Sequence, residues 1–448
     1  MGTAKDRFKG AAGFISAAEM QDDPQKRTKP GCRSSACGCR PERAADFPDA
    51  PTSVTHPPTQ RRIVAKRQPG GLLCVRSRHA GTRLFCQLHG LRKFLVEGRR
   101  ACILLVMPEP RRHHFVPQLL LKGFAKKKSK VWQTHVFDKQ DCRAFKASVE
   151  NVMVAQDFYA MQLDTGVVSL EGFISRIESI AAPILQKLVK AETTAKLSDD
   201  DRENLALFVA LQLIRGTGHR ATFLNVATQF RKALIERGLS PDDIGFTIPD
   251  DDRIKLQALQ AIATALPLYK EHLQCKDMMV FKAPDGHEFL IGDNPVTLDN
   301  HREFGFKGNI GLAVKGIEIY LPLSSHITLG MWATDLRTDI RAIVADVHRK
   351  QDALRASAML GVGPARIAAQ NALVGLDDKI ADAERLLREV EAGGPVHSHP
   401  ENMDRFNSMQ ICYAERYLAS ASGNFELARK MIDERPDLRT QGARMTVK

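Results

Sequence analysis

The stretch LALFVALQLIR, residues 205–215, constrains the fold more than any other part of the chain. Its residues are apolar on nearly every side of an α-helix, so other elements must cover this helix on most of its faces. Ser198, with Asp201 three residues later, has a spacing close to that of a capping box and predicts where the helix begins. We expect this helix to run over residues 198–220.

Other periodic segments supply the cover that this helix needs. Residues 169–191 repeat apolar side chains at helical spacing, with Pro183 as a kink or a break, and residues 252–273 predict a further helix. Strands are predicted at 130–138, 142–150, 278–283, 288–292, 317–323 and 326–332, and later helices at 339–357, 366–392 and 407–418. The sequence therefore predicts a helix-dominated α+β fold, a single domain with small antiparallel β-hairpins.

The first 106 residues differ from the rest of the chain in charge and composition. They hold 20 Lys and Arg against 8 Asp and Glu, whereas the remaining residues hold 45 against 44. This segment therefore carries +12 of the net charge of +13, and it also holds six of the nine cysteines. We expect residues 1–106 to be a disordered or spurious basic extension, with translation starting at Met107. A basic nucleic-acid-binding tail or a zinc module is the alternative, although the cysteines lack paired spacing.

The near-neutral body is expected to form one globular domain over 107–420, followed by a C-terminal helix and tail over 421–448. Its three cysteines are widely spaced, which fits a reducing cytoplasm, so we expect a cytoplasmic protein. No run approaches the roughly 20 apolar residues that cross a membrane. The charge balance gives little support to extended nucleic-acid binding, which depends on many Lys and Arg contacts to phosphate.

The central helix carries a polar stripe. Gln212, Arg215 and His219 continue one apolar face at gaps of three and four residues. A buried guanidinium is unfavourable unless it meets a carboxylate or several acceptors. Glu178, at the edge of the apolar face of the preceding helix, is the candidate partner. The stripe is either a structural ion pair that fixes helix register or an anion-binding or catalytic site.

Two further segments bring polar residues to the ends of apolar runs. FLIGDNPV ends a strand at Gly292 and then presents Asp293, which suits a catalytic carboxylate, a metal ligand or a structural turn. RRHHFVPQLLLKGFA, residues 111–125, places His113 and His114 before a helix that begins near a proline. Neighbours on an extended segment point in opposite directions, so one histidine is expected to face a site and the other to lie at the surface.

In their order along the chain, these pieces resemble the bacterial domain of unknown function 4238 family. The resemblance spans about residues 111–420 and rests on HHFVPQLLLKGFA, VENVMVAQDFYA, LEGFISRIES, RENLALFVALQLIRGTGHR, FLIGDNPV, IYLPLS and NSMQICYAERYLAS. The family pattern includes a His-x-x-Pro start, a Gln-x-x-Arg helix, an acidic strand end and a late Asn-led helix. The resemblance places its motif residues at His114, Gln212, Arg215, Asp293 and Asn407. Gly292 stands where the family often has Ser, and no biochemical activity is implied.

No Walker A, G-x-S-x-G or H-E-x-x-H motif occurs in the body, and the sequence identifies no cofactor, no metal site and no partner. Polar groups embedded in apolar surroundings often converge in one pocket, and we expect this of the residues above. The first hypothesis is a hydrolase that acts on a phosphate-containing substrate, nucleic acid included. Its catalytic residues are expected to be His114, Glu178 and Asp293, and its substrate-binding residues Gln212, Arg215 and Asn407.

Two alternatives stay open. The same residues are also compatible with a non-catalytic module that binds an anion or a partner without turnover. They are equally compatible with a buried polar network that only specifies the helical core.

Overall fold

A computed structural model describes residues 112–163, 166–302, 309–440 and 442. The extension expected over residues 1–106 lies outside these residues. The helices of the described chain are α1 (Gln118–Leu121), α2 (Glu171–Ala191), α3 (Asp199–Arg215), α4 (Thr217–Glu236), α5 (Asp251–Gln274), α6 (Thr334–Leu360), α7 (Pro364–Glu391), α8 (Pro400–Tyr413) and α9 (Glu426–Glu434). The strands are β1 (Arg112–His114), β2 (Lys126–Lys128), β3 (Val131–Asp138), β4 (Arg143–Ser148), β5 (Val154–Gln156), β6 (Ala160–Leu163), β7 (Gly166–Ser169), β8 (Asp277–Lys282), β9 (Ile291–Gly292), β10 (Thr297–Asp299), β11 (Glu318–Pro322), β12 (Ile327–Trp332), β13 (Val396–His397) and β14 (Tyr417–Ser420). The predicted helix-dominated α+β class is confirmed.

Helix α3 is buried, as its apolar sequence predicted. Every residue from Leu205 to Leu211 is buried, and the helix packs against α2 and α5. Its N-terminus has the predicted capping box, in which the Asp201 N–H donates to Ser198 Oγ at 3.1 Å and the Asp201 carboxylate accepts from the Ser198 N–H. Burial of each large apolar side chain contributes about 1.5–3 kcal/mol, so this helix anchors the core.

One five-stranded sheet has the order β10-β11-β12-β8-β13. The predicted hairpin of β11 and β12 is confirmed, with Tyr320 opposite Gly330. A side chain at Gly330 would meet the ring of Phe281, because a Cβ there lies 2.4 Å from that ring. The strands before and after the Pro-Asp-Gly turn at residues 284–286 belong to different sheets, since β8 pairs with β12 and β13 whereas β9 pairs with β14.

A second sheet combines strands from the N-terminal and C-terminal parts of the described chain. Its order is β2-β3-β14-β9, with β4 also paired to β3 as the predicted hairpin. Strand β14 lies between β3 and β9. Because it pairs with β9, this late strand fixes the position of the segment that leads into Asp293. Helix α9 packs nearby, where the Phe425 ring at its N-cap stacks on Phe137 at 5.3 Å.

The predicted helix over residues 198–220 is wrong at its C-terminal end. Gly216 has φ −79° and ψ 172°, which is extended backbone, and it separates α3 from α4. A Cβ at Gly218 would lie 1.8 Å from Asn294 Nδ2, so the glycines let the loop after β9 approach this junction closely. His219 therefore lies in the first turn of α4 and does not continue the stripe of Gln212 and Arg215.

The late helix is also displaced from its prediction. Helix α8 begins at Pro400, which suits the first turn of a helix, and ends at Tyr413. Leu418, expected at the helix end, lies in β14 between β3 and β9. The short apolar run around Leu418 fits a helix and a buried strand equally well, so its sequence does not determine its conformation. Pairing with β3 and β9 makes it a strand. Pro183 lies inside one continuous helix, α2.

Candidate active site

A cavity of about 310 Å³ is lined by residues of β1, α1, α2 and the C-terminus of α3. Its size is at the lower end of small-molecule sites, which range over about 300–1,000 Å³. Ser175 and Ser179 are exposed, so the cavity opens to solvent along α2. Its polar lining includes His114, Gln118, Glu171, Ser175, Glu178, Ser179 and Arg215.

Arg215 is the last residue of α3, and its side chain is only 2% exposed. The guanidinium donates to the Tyr159 hydroxyl at 2.9 Å, to the Glu178 carboxylate and to the His114 main-chain carbonyl. Burial alone would lower the pKa of Arg215, but the neighbouring Tyr159 and Glu178 outweigh burial and raise it. The predicted pairing of Arg215 with Glu178 is confirmed, and the cation links α2, α3 and β1.

The two carboxyl groups of the cavity, Glu171 and Glu178, lie seven residues apart on α2. Burial raises the pKa of Glu171, and His113 and Arg215 offset this effect only in part. One oxygen of Glu171 accepts from Ser175 Oγ at 3.3 Å. The other oxygen is buried and has no hydrogen-bond partner among the described residues. The cavity therefore disfavours the charged form of Glu171, whereas Glu178 forms an ion pair with Arg215.

The adjacent histidines of β1 have different environments. His114 lines the cavity, as expected, and its Nε2 lies 3.3 Å from the Val149 carbonyl. A carbonyl only accepts, so Nε2 is the donor, and Nδ1 is the proton acceptor of the neutral ring. Burial lowers the pKa of His114, which keeps the ring neutral at pH 7.

His113 was expected at the surface, and this prediction is wrong, because its exposed fraction is 1%. The pairing of β1 with β5 turns His113 toward Tyr159, whose N–H donates to His113 Nδ1 at 3.0 Å. The two rings also stack at 5.6 Å. Because Nδ1 accepts this hydrogen bond, the ring proton is on Nε2, which is buried without a hydrogen-bond partner in the part of the chain that the structure describes.

Asp293 does not line this cavity. Its side chain is buried, and its carboxylate accepts the backbone N–H groups of Glu415, Arg416 and Tyr417 at 2.7, 2.9 and 3.0 Å. Burial raises the pKa of Asp293 to about 6, against the effect of these three hydrogen bonds. The geometry is that of a structural carboxylate that fixes the turn between α8 and β14.

Gln212 and Asn407 also lie apart from the first cavity. Asn407 accepts from the Leu290 N–H at 2.8 Å and donates to the Glu288 carbonyl at 3.0 Å, so it holds the segment that leads into β9. Gln212 lines a separate cavity of about 140 Å³. Of the expected polar cluster, the structure thus brings together His114, Glu178 and Arg215.

Sequence reasoning missed three contributors to this cluster: His113, Tyr159 and Glu171. The sequence did contain a signal for Glu171. It precedes Glu178 by seven residues, which is close to two helical turns, so both side chains lie on the same face of the predicted helix. The roles of His113 and Tyr159 had no local signal, since both depend on the pairing of β1 with β5.

Within residues 112–163, 166–302 and 309–440, no group of three or more His, Cys, Asp or Glu side chains is arranged to hold a metal ion. None of the helices over these residues combines the length and the hydrophobicity that a membrane crossing requires.

The fold and the cavity define an α+β protein with a polar pocket formed beside the end of a buried helix. The chain belongs to the family described as Protein of unknown function (DUF4238), whose model matches residues 112–424. The match includes all the cavity residues and ends before α9. The comparisons with curated proteins and with solved structures gave no match. The resemblance seen in the sequence is therefore confirmed, and it assigns no activity.

Proposed function

We propose that the chain is a hydrolase that uses general acid–base catalysis in the 310 Å³ cavity. The observation that carries the proposal is the pair of carboxyl groups on α2 with opposite environments. Burial raises the pKa of Glu171 and leaves one of its oxygens unbonded among the described residues, whereas Glu178 forms an ion pair with Arg215. Carboxyl groups held in such different environments within one site mark acid and base roles in enzymes.

Each polar residue of the cavity has a role in this proposal. Glu171, whose pKa is raised by burial, donates a proton to the leaving group. The neutral His114 accepts a proton from the attacking water at Nδ1, because Nε2 faces the Val149 carbonyl. Glu178 is a positioning residue, since it holds Arg215, which in turn binds the main-chain carbonyl of His114. The cycle closes when the proton gained by His114 returns to Glu171 through solvent.

The proposed substrate is uncharged in the part that enters the cavity. The cation of Arg215 is already matched by Glu178, and its N–H groups also bind Tyr159 and the His114 carbonyl. An additional phosphate would then face two carboxyl groups with no unmatched cation among the lining residues. This differs from the phosphate-containing substrate expected from the sequence, and the experiment below includes both classes.

The test is a panel of chromogenic substrates assayed with the full chain. It contains an uncharged ester, an uncharged glycoside, a phosphate monoester and a phosphate diester. Glu171→Gln keeps the size of the side chain and removes the acid, so we expect turnover to fall by about 10²–10⁴-fold. Glu401→Gln is the matched control, because Glu401 is exposed in the first turn of α8, and it should retain full activity.

The pH profile separates an acid from a residue that only maintains the fold. If Glu171 is the acid, kcat/KM falls as pH rises through its raised pKa, and this limb disappears in Glu171→Gln. Turnover of the phosphate substrates alone would favour the original expectation of a phosphate hydrolase. Binding without turnover of any substrate would contradict catalysis and favour a binding module.

A further inference from the structure

A second cavity, of about 140 Å³, lies beside Gln212 and His219, and neither Glu171 nor Glu178 lines it. Its lining combines the C-terminal half of α3, the first turns of α4, the loop after β9 and the end of α8. The residues that matter below are Gln212, His219, Thr222, Asn294 and Tyr413. Leu213, Val296 and Leu298 supply apolar walls.

Three of the polar wall residues are used by the fold. The Asn294 side chain accepts from the Gly218 N–H at 3.1 Å and donates to the Tyr413 carbonyl at 3.0 Å. The Tyr413 hydroxyl donates to the Leu298 carbonyl at 2.8 Å, and Thr222 Oγ1 donates to the Gly218 carbonyl at 2.9 Å. These groups shape the cavity and have their hydrogen bonds within the protein.

The remaining two polar residues are unsatisfied. Gln212 is 3% exposed, and both its Oε1 and its Nε2 are buried without a hydrogen-bond partner among the described residues. His219 Nε2 is likewise buried and unpartnered there. Each such group costs about 1–3 kcal/mol of desolvation, so three unpaired atoms beside one cavity are unfavourable unless something binds them.

The cavity is also uncharged. Burial lowers the pKa of His219 to about 4, which keeps the imidazole neutral at pH 7. No Asp, Glu, Lys or Arg lines the cavity in the described part of the chain. An ion would therefore lose its hydration without gaining a counter-charge, and a neutral ligand is favoured.

We propose that this second cavity binds a small uncharged ring that carries an amide or lactam edge, with Gln212 and His219 as its hydrogen-bonding residues. The Gln212 amide presents one donor and one acceptor side by side, which matches the acceptor and donor of another amide edge, as in the bidentate pairing of Gln with a nucleobase. The volume supports a single ring, because an apolar cavity of about 150 Å³ accommodates benzene. This site is independent of the proposed hydrolase.

The experiment titrates small probes into the full chain and follows binding by ligand-observed NMR. Benzamide and uracil carry the proposed edge, benzoate is the charged counterpart of benzamide, and toluene is its apolar counterpart. Uridine distinguishes a free ring from a ring at the end of a larger molecule. We expect benzamide or uracil to bind at millimolar or lower concentration, and benzoate and toluene to bind at least about tenfold more weakly.

Two variants assign the binding to this cavity. Gln212→Met keeps the length of the side chain and removes the amide, so we expect affinity to fall about 10–100-fold, with thermal stability unchanged or raised. Gln351→Met is the matched control, because Gln351 is also buried in a helix, α6, and it should bind as the wild type does. His219→Phe removes Nε2, keeps an aromatic ring and should weaken binding as well, so it provides a second test if Gln212→Met does not fold.

The proposal is overturned if neither benzamide nor uracil binds, which would mean that water alone occupies the cavity. It is also overturned if benzoate or toluene binds as tightly as benzamide. Equal affinities of wild type, Gln212→Met and His219→Phe would place any observed binding elsewhere on the protein.

Discussion

Glu178→Gln tests the physical basis of the candidate active site. The substitution removes the negative charge that faces Arg215 while it preserves the size and shape of the side chain. The Arg215 side chain is 2% exposed and that of Glu178 is 23% exposed. In the variant, the guanidinium would stay buried with only neutral acceptors, namely the Tyr159 hydroxyl, the His114 carbonyl and the new amide oxygen.

The expected loss of stability follows from this geometry. Breaking a buried ion pair by removing one partner costs about 3–5 kcal/mol, because the other charge is left uncompensated. Two features reduce the loss: the glutamine oxygen still accepts a hydrogen bond, and water reaches the position of Glu178. We therefore expect the free energy of unfolding to fall by about 2–3 kcal/mol.

The assay is chemical denaturation of the full chain at pH 7, followed by far-UV circular dichroism. The matched control is Asp346→Asn, which removes one charge from an ion pair with Lys350 on the exposed face of α6. We expect no measurable change there, because exposed pairs contribute little and are screened by salt. Raising the salt concentration should leave the effect of Glu178→Gln largely unchanged.

A double-mutant cycle isolates the pair itself. Arg215→Met removes the cation, and the double variant removes both charges, which is often tolerated because no buried charge is then left alone. We expect the double variant to be at least about 1 kcal/mol more stable than the sum of the two single effects predicts. If the effects simply add, or if Glu178→Gln is as stable as Asp346→Asn, the claim that this ion pair holds Arg215 in the cavity wall is refuted.

Three further predictions concern stability. Ser198→Ala removes one half of the capping box of α3 and should lower the free energy of unfolding by about 1 kcal/mol, measured by denaturation. Asp293→Ala leaves three partly buried N–H groups without their acceptor and should cost about 3 kcal/mol, so a wild-type unfolding midpoint would contradict a structural role. The pKa of His219 is lowered to about 4 in the folded chain, so the unfolded chain binds more protons between pH 4 and 6.5. The free energy of unfolding is therefore not reduced by this group above pH 6.5 and decreases as pH falls below that value. From pH 7 to 5, the free energy of unfolding should decrease by about 1–2 kcal/mol. His219→Phe should remove that part of the pH dependence, and an unchanged slope would argue against a neutral buried imidazole.

Local sequence determined several features of this protein. The capping box at Ser198, the buried run from Leu205 to Leu211 and the two antiparallel hairpins all follow from residue spacing within one segment. The pairing of Arg215 with Glu178 also followed from sequence, because a cation on a buried face needs an anion and few carboxylates lie on the neighbouring helix.

Tertiary structure decided which polar residues share a cavity. Gln212 and Arg215 lie on one helix three residues apart, yet they line different cavities, because α3 ends at Arg215 and the loop carrying Asn294 packs against the junction at Gly216. The position of Asp293 after a strand suggested a catalytic carboxylate or a metal ligand. In the structure, however, three backbone N–H groups from residues 415–417 donate hydrogen bonds to its carboxylate. These contacts join segments more than 70 residues apart, and no spacing within one segment encodes them.

The histidine pair shows the same division. The sequence determined that His113 and His114 would face opposite ways, because alternate residues of an extended segment do so. Only the pairing of β1 with β5 decided that His113 is buried against Tyr159 while His114 faces the cavity. Periodicity within a segment fixes which side chains share a face, whereas the partner that covers each face depends on long-range packing of the whole chain.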